Sequence, residues 1–324
     1  MAVLKSAWRV AAGSFLLVVA LAGALPLVGT AAQVAAIEPN AAGAFLAAAA
    51  PEAAEGTGVA VRAVPGANEA HALPGEPSTA SAAEPDGPAS FQPDPYVAQL
   101  VNRVNRERAI NELRRLSGEL PLCVDGDCWP LANRLTMGDE LAHAMDYVAD
   151  EVRALGYTVD DAEWTYGRVT DRNVFATRTG LVRPDEQVYF VAHVDGVGNC
   201  PAGLCPAADD NASGTVAGLE IARALADVEL DRTLVIMFST GEEQGMYGAR
   251  AYIAGLSGDE LDAIKHLVNA DMVGWDGDDD NLVELYHGDE DGDEAESRAQ
   301  AEFMAEVIEA YTPELEVHLE PGCG

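Results

Sequence analysis

Lysine is nearly absent from this chain: Lys5 and Lys265 are the only two, and arginine supplies the other cations. Against 19 Lys and Arg stand 54 Asp and Glu, a formal net charge of -35. Such a surface repels phosphate, so nucleic acid is excluded as a partner. A well-solvated acidic surface is the plain reading, and adaptation to salty surroundings is a further one. CxxC spacing is absent, which excludes a zinc ribbon. The acid runs at 276–281 and 288–294 lack EF-hand ligand spacing, so they read as solvated loops rather than calcium sites. Internal repeats are absent. Long apolar runs are lacking as well, with one exception from Val10 to Val28, preceded by Lys5 and Arg9. Small residues follow it in "GTAAQVAA". This is the pattern of a secretory signal cleaved near Ala32, with export to the periplasm or the medium. The run is long enough to span a bilayer, so an uncleaved anchor that tethers the chain to a membrane is the alternative.

Five cysteines are present, none of them near that run, which excludes lipid attachment through a cysteine. Cys123 and Cys128 share one short loop, and Cys200 and Cys205 share another. Export permits disulfides, and the two local pairings are favoured, leaving Cys323 odd. Residues 33–95 are rich in Ala, Pro, Gly and Glu and poor in large apolar residues. A segment of that composition cannot offset its ordering entropy and is expected to be a disordered linker. The organisation expected is therefore signal or anchor (1–32), linker (33–95) and one folded domain (96–324).

Within the domain, Val97, Leu100, Val101 and Val104 follow helical spacing, continued by Ile110 and Leu113. A clearer helix is expected from Asp139 to Leu155, stopped by Gly156. Others are expected at about 213–225, 247–254 and 295–311. Between them lie apolar strands: "RNVFATRTG", "EQVYFVAHVDG", "RTLVIMFS", "HLVNADMVG", "NLVELYHG" and "LEVHLEP". Alternating strands and helices, with near-continuous apolar strands, indicate an α/β three-layer sandwich around a largely parallel mixed sheet.

Three of these strands end alike. "VYFVA" runs into His193 and Asp195, "TLVIMFS" into Gly241, Glu242 and Glu243, and "HLVNA" into Asp271. In open α/β sheets, sites form at the carboxyl ends of strands. "PAADDNASG" adds Asp209 and Asp210 just before a helix. Taken singly, a His after a strand is usually structural, an Asp pair before a helix usually caps it, and a Glu pair is usually solvated. Together they gather several acids and one imidazole on one rim. No Lys or Arg between Asp185 and Gly214 is there to neutralise them. A divalent cation would, and a His–carboxylate set suits zinc.

"AHVDG", "ADDNASG", "STGEEQGMYGAR" and "NADMVG", in this order, resemble the co-catalytic zinc exopeptidases, zinc metallopeptidase family 28. This is the family of secreted bacterial leucyl aminopeptidases and glutamate carboxypeptidases. The resemblance covers about residues 105–324, and "RNVFAT" fits it too. It implies the zinc-exopeptidase fold and two zinc ions, roughly 3.5–4 Å apart. By that resemblance His193 and Asp271 bind the first zinc, Glu243 the second, and Asp210 bridges them. Asp195 orients the His193 imidazole, and Glu242 is the general base on a water. Asp209 is not a ligand.

The resemblance also implies a further zinc-binding His in an "SDH" motif after a cysteine-containing loop, and the chain ends at "EPGCG", about where that loop begins. The domain is thus expected to be incomplete at its C-terminus. As given, it should bind zinc poorly, and Cys323 should lack its partner. His266, His287 and His318 match no family ligand and are expected to be structural. The function expected is an aminopeptidase acting on peptide or protein N-termini, because the anionic rim attracts an ammonium group. A carboxypeptidase would want a cationic clamp, for which Arg250 lies near the motif. Glutaminyl cyclisation on one zinc and a non-catalytic receptor-like domain are rival readings of the same fold. Met246, Tyr247 and Trp275 are candidates for a side-chain pocket, or for the core.

Overall fold

The computed structural model describes residues 92–197, 204–275, 281–288 and 294–322. The signal or anchor, nearly all of the linker, Cys200, Cys323 and most of the two acid runs lie outside these residues. Among the described residues no helix is long and apolar enough to cross a membrane.

The first helical stripe is two helices rather than one: α1 (Pro95–Val101) and α2 (Arg106–Leu116). The break has a local cause. The Asn102 side chain donates to Ala98 O at the end of α1. Asn105 then caps α2, its side-chain oxygen accepting from Arg108 N at 3.0 Å. Strands β1 (Leu122–Val124) and β2 (Asp127–Trp129) form a hairpin around Asp125–Gly126, both with positive φ. The expected Cys123–Cys128 disulfide closes it. Cys205 is disulfide-bonded as well.

Helix α3 (Asp139–Ala154) leads into an antiparallel pair, β3 (Thr158–Tyr166) and β4 (Val169–Arg178). β5 (Arg183–His193) follows, then an irregular turn (Ala208–Ser213) and α4 (Gly214–Ala224). Next come β6 (Arg232–Ser239), α5 (Tyr247–Gly255), α6 (Gly258–Ala263) and β7 (Ile264–Asn269). The five-stranded sheet has the order β3-β4-β6-β5-β7. It is mixed: β5 runs parallel to both β6 and β7, while β4 is antiparallel to β3 and β6. A separate parallel pair, β8 (Leu282–His287) and β9 (Glu316–Pro321), packs with α7 (Glu294–Tyr311) through Ile308, Leu315, Val283 and Val317.

Alternate residues of the central strands face opposite sides. Val188, Phe190, Ala192, Leu234, Ile236 and Phe238 join the large core beneath α2, α3 and α4. Tyr189, Val191, Val235 and Met237 face Ala249 and Tyr252 of α5. This is why β5 and β6 read as continuous apolar runs: both faces are covered. α4 approaches the sheet closely at Gly218, where a Cβ would fall 2.8 Å from the rings of Phe190 and Phe238.

A charged network is buried where α2, α3 and α4 meet. Arg223 donates to Glu112 (2.8 Å), Glu151 (2.5 Å) and Glu220 (3.1 Å), and Arg108 donates twice to Glu220, at 2.6 Å each. Removing the central cation leaves Glu112 and Glu220 buried without it. Arg223→Met is therefore expected to cost about 3–5 kcal/mol, read as a lower denaturation midpoint at unchanged slope. A cost below ~1 kcal/mol, the range of exposed pairs, would show that the network is effectively solvated.

Candidate metal centre

Because β5, β6 and β7 are parallel neighbours, their carboxyl ends share one rim. His193 ends β5 opposite Ser239 of β6, and Ala270 N donates to Val191 O just before Asp271. The turn before α4 is fastened to the same rim. Asn211 Nδ2 donates to Ala270 O at 2.8 Å, and Asp209 Oδ1 accepts from Gly274 N at 2.8 Å. One oxygen of Asp209 is thus occupied with backbone while its Oδ2 is buried without a partner, and Asp210, where the turn leaves helical dihedrals, faces the imidazole. Gly241, with φ 72°, turns the chain after β6 so that Glu242 and Glu243 follow on the rim, and a Cβ there would fall 2.7 Å from the Trp164 ring.

His193 Nε2 lies 3.3 Å from Asp210 Oδ1, 3.5 Å from Asp271 Oδ1 and 3.9 Å from Glu242 Oε2. It is buried without a partner in hydrogen-bond geometry. His193, Asp210 and Asp271 each offer a ligand atom, all within 4.8 Å of one another, the one such group among the described residues. An orphaned imidazole nitrogen facing two carboxylates fits a cation, and three protein donors are what a catalytic zinc takes. Glu243 sits apart from this trio, its Oε1 accepting from Val197 N at 2.8 Å.

Asp195, fully buried, ties the rim together. Its oxygens accept from Glu242 N and Glu243 N, both at 3.3 Å, and lie 3.1 Å from Thr136 Oγ1. His193 Nδ1 is 3.1 Å from Asp195 O and 3.6 Å from Asp195 Oδ1. The remaining described histidines are engaged elsewhere. His143 stacks on Trp129, His287 Nδ1 meets Gly288 O, His318 lies beside Glu320, and burial lowers the pKa of His266. Of the pocket candidates, Met246 packs against the α5 face, Tyr247 stacks on Tyr166 and Trp275 is exposed.

A cation does reach the acids, from outside residues 185–214. Arg134 is 1% exposed, and Asp195, Asp210 and Glu243 act on it electrostatically. Burial lowers its pKa to about 10, so it stays charged at neutral pH.

Burial opposes charge on His193, but Asp195, Asp210 and Asp271 outweigh it and raise the imidazole to about 12. His193 beside it holds the Asp210 carboxyl low, whereas burial pushes Glu242 and Glu243 up. A metal at Nε2 must therefore displace a proton. Below the His193 pKa, one proton displaced per ion makes affinity rise about tenfold per pH unit. Calorimetry in buffers of different ionisation enthalpy should show that proton release. Binding without it would mean that His193 is not a ligand.

Residues 173–319 match the model described as Peptidase family M28. A probable zinc metalloprotease of Pyrenophora tritici-repentis is 31% identical over 40% of the chain and 30% of its own length. Aminopeptidase YwaD of Bacillus subtilis is 35% identical over 38% of the chain and 26% of its own. The Legionella pneumophila LapA aminopeptidase structure shares the fold at TM-score 0.54 and 15% identity, over 69% of this chain and 57% of that one. The chain spans under a third of the length of these two curated relatives.

Proposed function

We propose, from the match of residues 173–319 to the Peptidase family M28 model, that the protein is a zinc-dependent aminopeptidase of that family. The observation that carries the proposal is the buried, orphaned His193 Nε2 facing Asp210 and Asp271. In this reading His193, Asp210 and Asp271 hold one zinc, and Asp210 and Glu243 contribute to a second. Bound zinc supplies Lewis-acid polarisation of the scissile carbonyl and a more acidic water. Glu242 would be the general base, holding the proton taken from the attacking water and passing it to the leaving amine. Asp195 holds the backbone of the Glu pair and the His193 ring in one frame. Two observations favour the amino end. Asp210, Asp271, Glu242 and Glu243 make the rim anionic, and the cation beneath it, Arg134, is buried with its donors on carbonyls. Export through the N-terminal segment belongs to the same proposal.

The test uses the full-length protein with zinc. Leucyl-anilide should be hydrolysed, its N-acetyl derivative should not, and a chelator should stop the reaction reversibly. Hydrolysis of a C-terminally free, N-blocked peptide would favour a carboxypeptidase, and cyclisation of an N-terminal Gln peptide a glutaminyl cyclase. Zinc binding with no turnover would leave a receptor-like domain.

A further inference from the structure

We infer that Arg134 is a positioning residue for the metal centre: its guanidinium fastens the segment carrying His193 and Asp195 to the loop carrying Asp210 before any metal arrives. The inference rests on the metal reading above. Arg134 Nε donates to Val194 O at 2.7 Å, the carbonyl between His193 and Asp195. Nη1 donates to Pro206 O at 3.0 Å and Nη2 to Ala207 O at 2.7 Å, a few residues before Asp210. Nη1 also reaches Leu116 O at 2.5 Å, a carbonyl of the last turn of α2 that the helix itself leaves open. The backbone completes the junction. Gly196 N donates to Arg134 O at 3.0 Å, and Cys205 N to Ala132 O at 2.7 Å. There is no slack: a Cβ on Gly196 would fall 2.4 Å from Ala207 Cβ.

Four N–H groups on four carbonyls is nearly the whole donor capacity of a guanidinium. Burying an arginine among neutral carbonyls is costly. A fold needing only a hydrogen-bonding plug at this place would be cheaper with a neutral side chain. The charge finds its compensation in Asp195, Asp210 and Glu243. Arg134 thus attracts the carboxylates that otherwise repel one another and fixes the backbone on which two of them stand. Lysine has the charge but a single point of donation, so it cannot span Val194, Pro206 and Ala207 together.

The experiment compares parent, Arg134→Lys and Arg134→Met in the full-length protein, with Co2+ as probe. Affinity is read by chelator competition and coordination by the visible spectrum. Both variants should bind Co2+ about 10- to 100-fold more weakly, as for other groups that orient ligands. Both should show an altered spectrum, with no rescue by lysine. Folded variants with parental affinity and spectrum would overturn the assignment while the metal reading stands. A parent that binds no Co2+ would overturn both. Should neither variant fold, the parent alone decides. Hydrogen exchange at Gly196 and Cys205 should be equally slow in metal-free and Co2+-loaded protein. Protection that appears only with metal would mean that the metal, and not Arg134, builds the junction.

Discussion

Glu242→Gln is expected to slow leucyl-anilide hydrolysis by about 100- to 10,000-fold, the range of general base catalysis, with zinc content unchanged. The substitution keeps the shape of the side chain and removes its basicity. Glu242 Oε2 stands 3.9 Å from His193 Nε2, near the trio of donors but farther out than Asp210 or Asp271. Its backbone is pinned to Asp195, so the variant should keep its place on the rim. The acid limb of kcat/KM should also vanish, because a general base must be ionised to act. Near-parental turnover would end the assigned role. Loss of zinc in this variant would instead make Glu242 a ligand.

The rim is legible in the sequence because two of its supporting strands, β5 and β6, are buried on both faces, announce themselves as apolar runs and carry polar ends that stand out. β7, at the opposite sheet edge from β3, keeps only Ile264 and Val268 buried and gives a weaker signal. β3 gives no such sign of being a separate strand. It lies at the sheet edge, and along Thr158–Tyr166 only Trp164 is buried. An acid-rich edge strand with no regular apolar alternation carries little hydrophobic signal. The β1–β2 hairpin is short, yet its Asp125–Gly126 turn between Cys123 and Cys128 is a usable cue. Ser257 and Glu260 form the capping box of α6, another signal that the sequence carries.

Arg134 has no such signal. A lone arginine in "LANRLT" reads as a solvated loop residue. Its meaning comes from four carbonyls that lie 18 to 73 residues away in sequence. Spacing rules describe one element at a time, and this residue acts where several meet. Thr136 is a similar case: it reaches Asp195 and Gln244 from the same loop. The ligand positions themselves are local features of strand ends, whereas the groups that hold them in place are tertiary.

Asp210→Asn should abolish the binding of both zinc ions, whereas Glu243→Gln should remove one. Asp210 is the carboxylate proposed to serve both metals and lies 3.3 Å from His193 Nε2. Glu243 stands apart, engaged with Val197 N. Loss of a ligand should weaken zinc by more than the ~100-fold at which removal of an orienting group tops out. The metal-free proteins separate the two variants further. The Asp210 carboxyl is held low, first by His193, so its charge stabilises the fold above the unfolded pKa; that contribution fades as pH falls through the folded value. Asp210→Asn without metal should then melt below the parent at pH 7 and converge with it in acid. Glu243 is raised, first by burial, so its ionisation opposes folding as pH climbs past the unfolded pKa. Glu243→Gln without metal should be no less stable than the parent at pH 7. Zinc in excess stabilises only what binds it. It should raise the melting temperature of the parent most, that of Glu243→Gln partly and that of Asp210→Asn not at all. Equilibrium dialysis that still finds two zincs in Asp210→Asn would remove this residue from the centre.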